Sequence, residues 1–131
     1  MYDYPIEKKK KIVDAFQSLL KEEEAIGKQT TIAGWKQRNA LVSHVYSGYN
    51  EHEKLCSKKT IWEDLNFQHR VLMGLSKLLK KHVDLYGYFP NYKEMLDDFD
   101  ELVETSIKME KFEITKILKL WRDRFPQPEY K

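Results

Sequence analysis

Between Thr60 and Leu79 the apolar residues Ile61, Trp62, Leu65, Leu72, Leu75, Leu78 and Leu79 recur mainly at three- and four-residue intervals. A half-buried strand needs alternation with a period of two. This spacing instead puts one stripe along a helix of about five turns. Thr60, with Glu63 three positions on, has the form of a capping box and predicts the start of that helix. Its end is predicted by Tyr86-Gly87-Tyr88-Phe89-Pro90, because Gly breaks the pattern and Pro denies its predecessor the helical region.

The same period recurs along the chain. After Pro5 it places Ile12, Val13, Phe16, Leu19 and Leu20 on one face, with an expected stop near Ile26-Gly27. From Thr30 it takes in Ile32, Trp35, Leu41, Val42, Val45, Tyr46 and Tyr49, and Gly34 is expected to divide a short helix from a longer one. Ser47 to Lys59 reads as a connector with one helical turn around Leu55. Asn91 and Glu94 open a helix with Tyr92, Leu96, Phe99, Leu102, Val103 and Ile107 as its stripe. A last helix from Glu110 turns Ile114, Ile117, Leu118, Trp121 and Phe125 inward before Pro126 and Pro128. All three tryptophans fall on such stripes and are expected in the core.

Only 5 of the 131 residues are Gly and 4 are Pro, too few turn formers for a many-stranded β fold, while 41% hydrophobic residues exceed what a disordered chain carries. The expectation is an all-α protein: one domain of six to eight helices over residues 1–125, with 126–131 as a tail or linker. No apolar run reaches the roughly 20 residues that cross a bilayer, and no apolar signal core follows the charged N-terminus, so a soluble protein without membrane partners is expected. The single Cys56 has no internal disulfide partner, which fits a reducing compartment.

No phosphate loop, zinc helix or nucleophile elbow occurs in the chain. His44, His52, His69 and His82 lack the spacings of a helical metal site, so neither a metal nor another cofactor is expected. Arg38-Asn39-Ala40-Leu41-Val42-Ser43-His44 resembles the HEPN ribonuclease signature. That resemblance implies Arg38 neutralising a scissile phosphate and His44 transferring protons across a dimer. The alternative for these residues is a surface Arg beside a partly buried His. Net charge is only +2, but basic residues gather at Lys8–Lys11, at Lys77, Lys80, Lys81 and His82, and at Lys116, Lys119, Arg122 and Arg124, apart from the acidic run Glu94 to Glu104. Such runs are solvated helix faces or the two poles of a surface that meets an anionic partner. Tyr86, Tyr88, Phe89 and Tyr92 either pack two helix ends together or form an exposed stacking platform.

Phe16-Gln17-Ser18-Leu19-Leu20, the helices around Trp35 to Tyr46 and Val71 to Leu79, the Tyr86 to Phe99 segment and the closing Leu118-Lys119-Leu120-Trp121-Arg122-Asp123-Arg124 resemble, in order, the CID family. CIDs are right-handed superhelical domains related to VHS and ENTH domains, and they bind the phosphorylated C-terminal repeats of RNA polymerase II. The resemblance implies a nuclear, non-enzymatic module for a protein or phosphopeptide partner in transcription or RNA processing. It places Lys77, Lys80 and Lys81 on one wall of a peptide groove and Arg122 and Arg124 near the other, holding phosphoserine through charge-assisted hydrogen bonds. Where the family carries a peptide-binding Asp, this chain has Ser76 or Lys77. A helical adaptor with no family link is the remaining alternative.

Overall fold

The structure, a computed structural model, describes residues 6–127, with side chains from Lys8 onward. Among these residues it contains four α-helices and no strand: α1 (Ile6–Tyr46), α2 (His52–Lys80), α3 (Tyr92–Lys108) and α4 (Phe112–Arg122). The fold is all-α. The count of four in place of six to eight has local causes. Gly27 and Gly34 both lie inside the 41 residues of α1 without ending it. Thr60 lies inside α2, where its hydroxyl donates to the Cys56 carbonyl at 2.9 Å, so it caps nothing. The expected connector contracts to residues 47–51. Pro5 and the tail beyond Gln127 lie outside the described residues.

The chain divides into two compact units, Met1–Lys21 with Val71–Lys131, and Glu22–Arg70. Helices α1 and α2 each contribute one part to either unit.

The first unit holds most of the large buried side chains. Ile12 and Leu19 of α1, Leu75 and Leu79 of α2, and Phe89, Tyr92, Met95 and Phe99 are all without solvent exposure. Each is worth about 1.5–3 kcal/mol of burial. Phe16 meets Phe89 edge-on at 5.3 Å, and Phe99 meets Phe125 at 6.1 Å. These are the offset geometries that ring quadrupoles favour. The loop before α3 is shaped by Asp84, whose Oδ1 accepts the Tyr86 and Tyr88 amides at 2.8 and 3.0 Å, and by Gly87 at φ 84°. Phe89 and Tyr92 therefore face inward as packing residues, while Leu85 and Tyr86 stand in solvent. Asn91 does occupy the N-cap of α3, without a side-chain capping bond. The Ser106 and Thr115 hydroxyls bond to each other and tie α3 to α4.

The second unit is an antiparallel helical hairpin with a seam of small residues. A Cβ built on Gly27 would lie 2.9 Å from His69 Nε2, and one on Gly34 would lie 3.3 Å from Trp62 Nε1. The two pairs are offset by seven residues in opposite directions along α1 and α2, so they share one antiparallel register centred on residue 48. There the chain reverses through Gly48 and Tyr49, at φ 73° and 67°. The buried positions of α1 in this unit are Ile26, Thr30, Ala33, Ala40 and His44, at successive spacings of four, three, seven and four that keep to one helix face. Thr30 satisfies its hydroxyl on the Ile26 carbonyl at 2.7 Å.

This register corrects the expected core. Ile32, Trp35, Leu41, Val42, Val45, Tyr46 and Tyr49 are exposed, with Trp35 at 59% and Tyr46 at 86%. A two-helix hairpin buries one stripe per helix, and here that stripe runs through Ile26, Thr30, Ala33, Ala40 and His44, while Gly27 and Gly34 let the backbone approach His69 and Trp62. The larger apolar residues are left on the remaining faces.

The seam makes a testable statement about size. Gly27→Val should destabilise the protein by about 1–3 kcal/mol through overpacking against His69. Gly27→Ala should be far milder, since the ring end can shift and alanine gains helix propensity of about 1 kcal/mol. Thermal melts of a double-mutant cycle check the contact: His69→Ala in the Gly27→Val background should recover roughly 1 kcal/mol.

Candidate functional site

The residues expected to line a phosphopeptide groove have two different fates. Lys77 and Lys80 in the last turn of α2, and Lys81 just beyond it, are exposed. Ser76, the other residue at the expected Asp position, is buried and donates to the Met73 carbonyl at 3.2 Å. Arg122 is only 9% exposed. Its Nε donates to Asp100 Oδ1 at 2.7 Å and its Nη1 to the Phe125 carbonyl at 3.2 Å. The guanidinium thus links α4 to α3 and closes the C-terminal turn. Arg124 is exposed and lies over the Trp121 ring at 4.1 Å, while Trp121 itself is buried at 4%.

Two acidic residues are also engaged. Asp100 receives Arg122, and Asp98 Oδ2 lies 2.7 Å from His82 Nε2. Glu94, Asp97, Glu101 and Glu104 remain exposed along α3.

Arg38 and His44 differ in the same way. Arg38 is exposed, whereas His44 is 9% exposed and works in the hairpin turn. Its Nδ1 accepts the Glu51 amide at 3.1 Å, its carbonyl accepts the Tyr49 amide at 2.8 Å, and its ring stacks edge-on with Tyr49 at 5.3 Å. The Ser43 hydroxyl donates to the Glu51 carboxylate beside it. With Nδ1 an acceptor, the neutral ring carries its proton on Nε2, and the side chain clasps the turn. Cys56 is exposed, its sulfur 3.4 Å from His52 Nε2. Among the described residues no three His, Cys, Asp or Glu gather as metal ligands. No described helix is long and apolar enough to cross a membrane.

The surface that stands out was not among the expected site residues. Along α1 and into the turn, Ile32, Trp35, Leu41, Val42, Val45, Tyr46 and Tyr49 expose apolar area over about five turns. From Ala25 to Asn50 the sequence contains no carboxylate, but it does contain Lys28, Lys36 and Arg38. Beside this face a groove of about 240 Å³ opens between α1 and α2, lined by Ile32, Ala33, Ile61 and Leu65 together with Gln29, Lys36 and Lys58. The signal for it lay in Gly27, Ala33, Gly34 and Ala40, small residues on or beside the buried face of Ile26, Thr30 and His44, which leave the large side chains to the other faces. Compared with protein-family models, curated proteins and solved structures, the chain matches none.

The two kinds of basic residue should respond differently to removal. Arg122→Ala should cost about 1.5–3 kcal/mol, the worth of hydrogen bonds to a charged group. Lys80→Ala should stay within about 0.5 kcal/mol, as exposed substitutions usually do. Urea melts of the two variants beside wild type check the contrast, and equal midpoints would place the Arg122 side chain in solvent.

Proposed function

We propose that this protein is a non-catalytic helical adaptor that binds another protein through the exposed face of α1 between Ile32 and Tyr49. The observation carrying this reading is the run of large apolar and aromatic side chains left in solvent there, Trp35 and Tyr46 foremost. Large apolar side chains left exposed together on a folded protein mark interaction sites. Trp and Tyr are also the residues that contribute most at the centres of interfaces.

The phosphopeptide function implied by the CID resemblance has less support. A right-handed superhelix of six to eight helices needs more helices than the four described, and Arg122 already has Asp100 as its partner. Lys77, Lys80 and Lys81 remain as exposed cations for an anionic partner, without a second wall of free guanidinium groups. The ribonuclease alternative asks His44 for an exposed, unengaged imidazole, and its Nδ1 is held by Glu51. A nuclear location belongs to the CID resemblance alone and is not part of this proposal.

Affinity capture from cells of origin, with quantitative mass spectrometry, tests the adaptor function. Wild type should retain at least one partner that Trp35→Ser/Val42→Ser loses. The variant's melting temperature should be unchanged or higher, because both side chains are exposed. Capture profiles that do not differ would contradict the proposal.

A further inference from the structure

The groove on the hairpin has a chemistry of its own. Its walls are largely aliphatic, Ile32 and Ala33 from α1 and Ile61 and Leu65 from α2, with Gln29 as the one uncharged polar residue in the lining. Lys36 and Lys58 stand at the rim, one on each helix, and neither has an ion-pair partner among the described residues. No carboxylate lines the groove. Asp64, one turn beyond Ile61, takes the Gln68 amide at 3.1 Å. The facing stretch of α1 has no Asp or Glu from Ala25 to Asn50.

We infer that this groove receives an acidic amphipathic helix of a partner protein, one apolar side chain entering between Ile32 and Ile61 and flanking carboxylates meeting Lys36 and Lys58. The inference rests on the adaptor reading and names the partner's chemistry. Charge selects the sign. Two unpaired ammonium groups on opposite sides of an apolar notch favour carboxylates placed on both flanks of an apolar stripe, and they disfavour a basic helix.

Backbone chemistry selects the helix. The walls come from α-helices whose backbone groups are bonded internally, so they offer no free edge for an extended strand. An extended peptide laid on aliphatic walls would leave its own amides without partners. A helix brings those bonds with it and lays side chains at i, i+3, i+4 and i+7 into a groove between two antiparallel helices. Nucleic acid is less suited, since bases stack on aromatic or guanidinium faces and this notch has neither.

The test uses the full chain and a fluorescein-labelled peptide of about 18 residues, five helical turns, with Leu on one face and Glu on both flanks. Its counterpart has Lys for every Glu. Fluorescence anisotropy should show the acidic peptide binding about tenfold more tightly than the basic one, the scale expected from a few exposed ion pairs gained or reversed. Lys36→Glu/Lys58→Glu should invert the preference, and Ile61→Asp should abolish binding of both, with melting temperatures close to wild type.

Equal binding of the two peptides, no binding of the acidic one, or a preference unmoved by the lysine reversal would overturn the inference. So would tighter binding of a single-stranded RNA or of anionic phospholipid vesicles, or sedimentation of the protein alone as a dimer that Ile61→Asp dissociates. If the acidic peptide fails while Trp35→Ser/Val42→Ser still loses its captured partner, the acidic-helix assignment falls and the adaptor function stands. If the captured proteins are also unchanged, both fall.

Discussion

The unit formed by Glu22–Arg70 depends on the close approach of α1 to α2 where Gly27 faces His69 and Gly34 faces Trp62. A large side chain at either glycine needs space that the partner residue already fills. Interiors packed to crystal-like density transmit such a demand rather than absorb it. The approach sets the antiparallel register, the register puts Ala33 and Ala40 inward, and the large residues of α1 are left facing water. Exposure of Trp35 and Tyr46 is therefore a consequence of how the hairpin packs, and the surface proposed for binding follows from the same contact.

The other unit buries a charged side chain. Arg122 sits among buried residues because Leu118, Arg122 and Phe125 share one face of the C-terminal segment, at spacings of four and three. Asp100 and the Phe125 carbonyl satisfy it there. Burying a guanidinium without such partners would cost several kcal/mol, so an inward Arg in this position has to be paired. His44 follows the same logic in the hairpin turn, where an imidazole nitrogen accepts a backbone amide that has no helical partner. Side chains that carry reactive groups in other contexts serve here as internal connectors. The surface proposed for recognition is largely apolar, with Lys36 and Lys58 beside it.

Much of the fold was legible because α3 and α4 are amphipathic in the ordinary sense. Leu96, Phe99 and Val103 mark one face of α3, and Asn91 stands at its N-cap. The hairpin was harder to see. Gly27 and Gly34 weigh as helix breakers in a local reading, but a glycine inside a helix costs only about 1 kcal/mol, which tertiary packing readily overrides. Hydrophobic periodicity then followed the large residues Trp35, Val42 and Tyr46, and the face that is buried carries Ala33 and Ala40 among Ile26, Thr30 and His44. Of the expected groove residues, the exposure of Lys77, Lys80 and Lys81 was legible from composition, while the inward turn of Arg122 was legible only from its spacing to Leu118 and Phe125. The groove beside Ile61 could not be read at all without the register, since it combines residues of two helices about thirty positions apart in the chain.

The central claim is that the face of α1 carrying Ala33 and Ala40 is buried and that Trp35 and Tyr46 are open to solvent in the free protein. Acrylamide quenching of single-tryptophan variants measures this directly, with phenylalanine at the other two positions in each. Trp35 alone should emit at longer wavelength and be quenched several-fold more than Trp121 alone, in keeping with their 59% and 4% exposure. If Trp35 is quenched no more than Trp121 in the monomeric protein, α1 packs by its large residues, and the surface on which the proposed function rests does not exist.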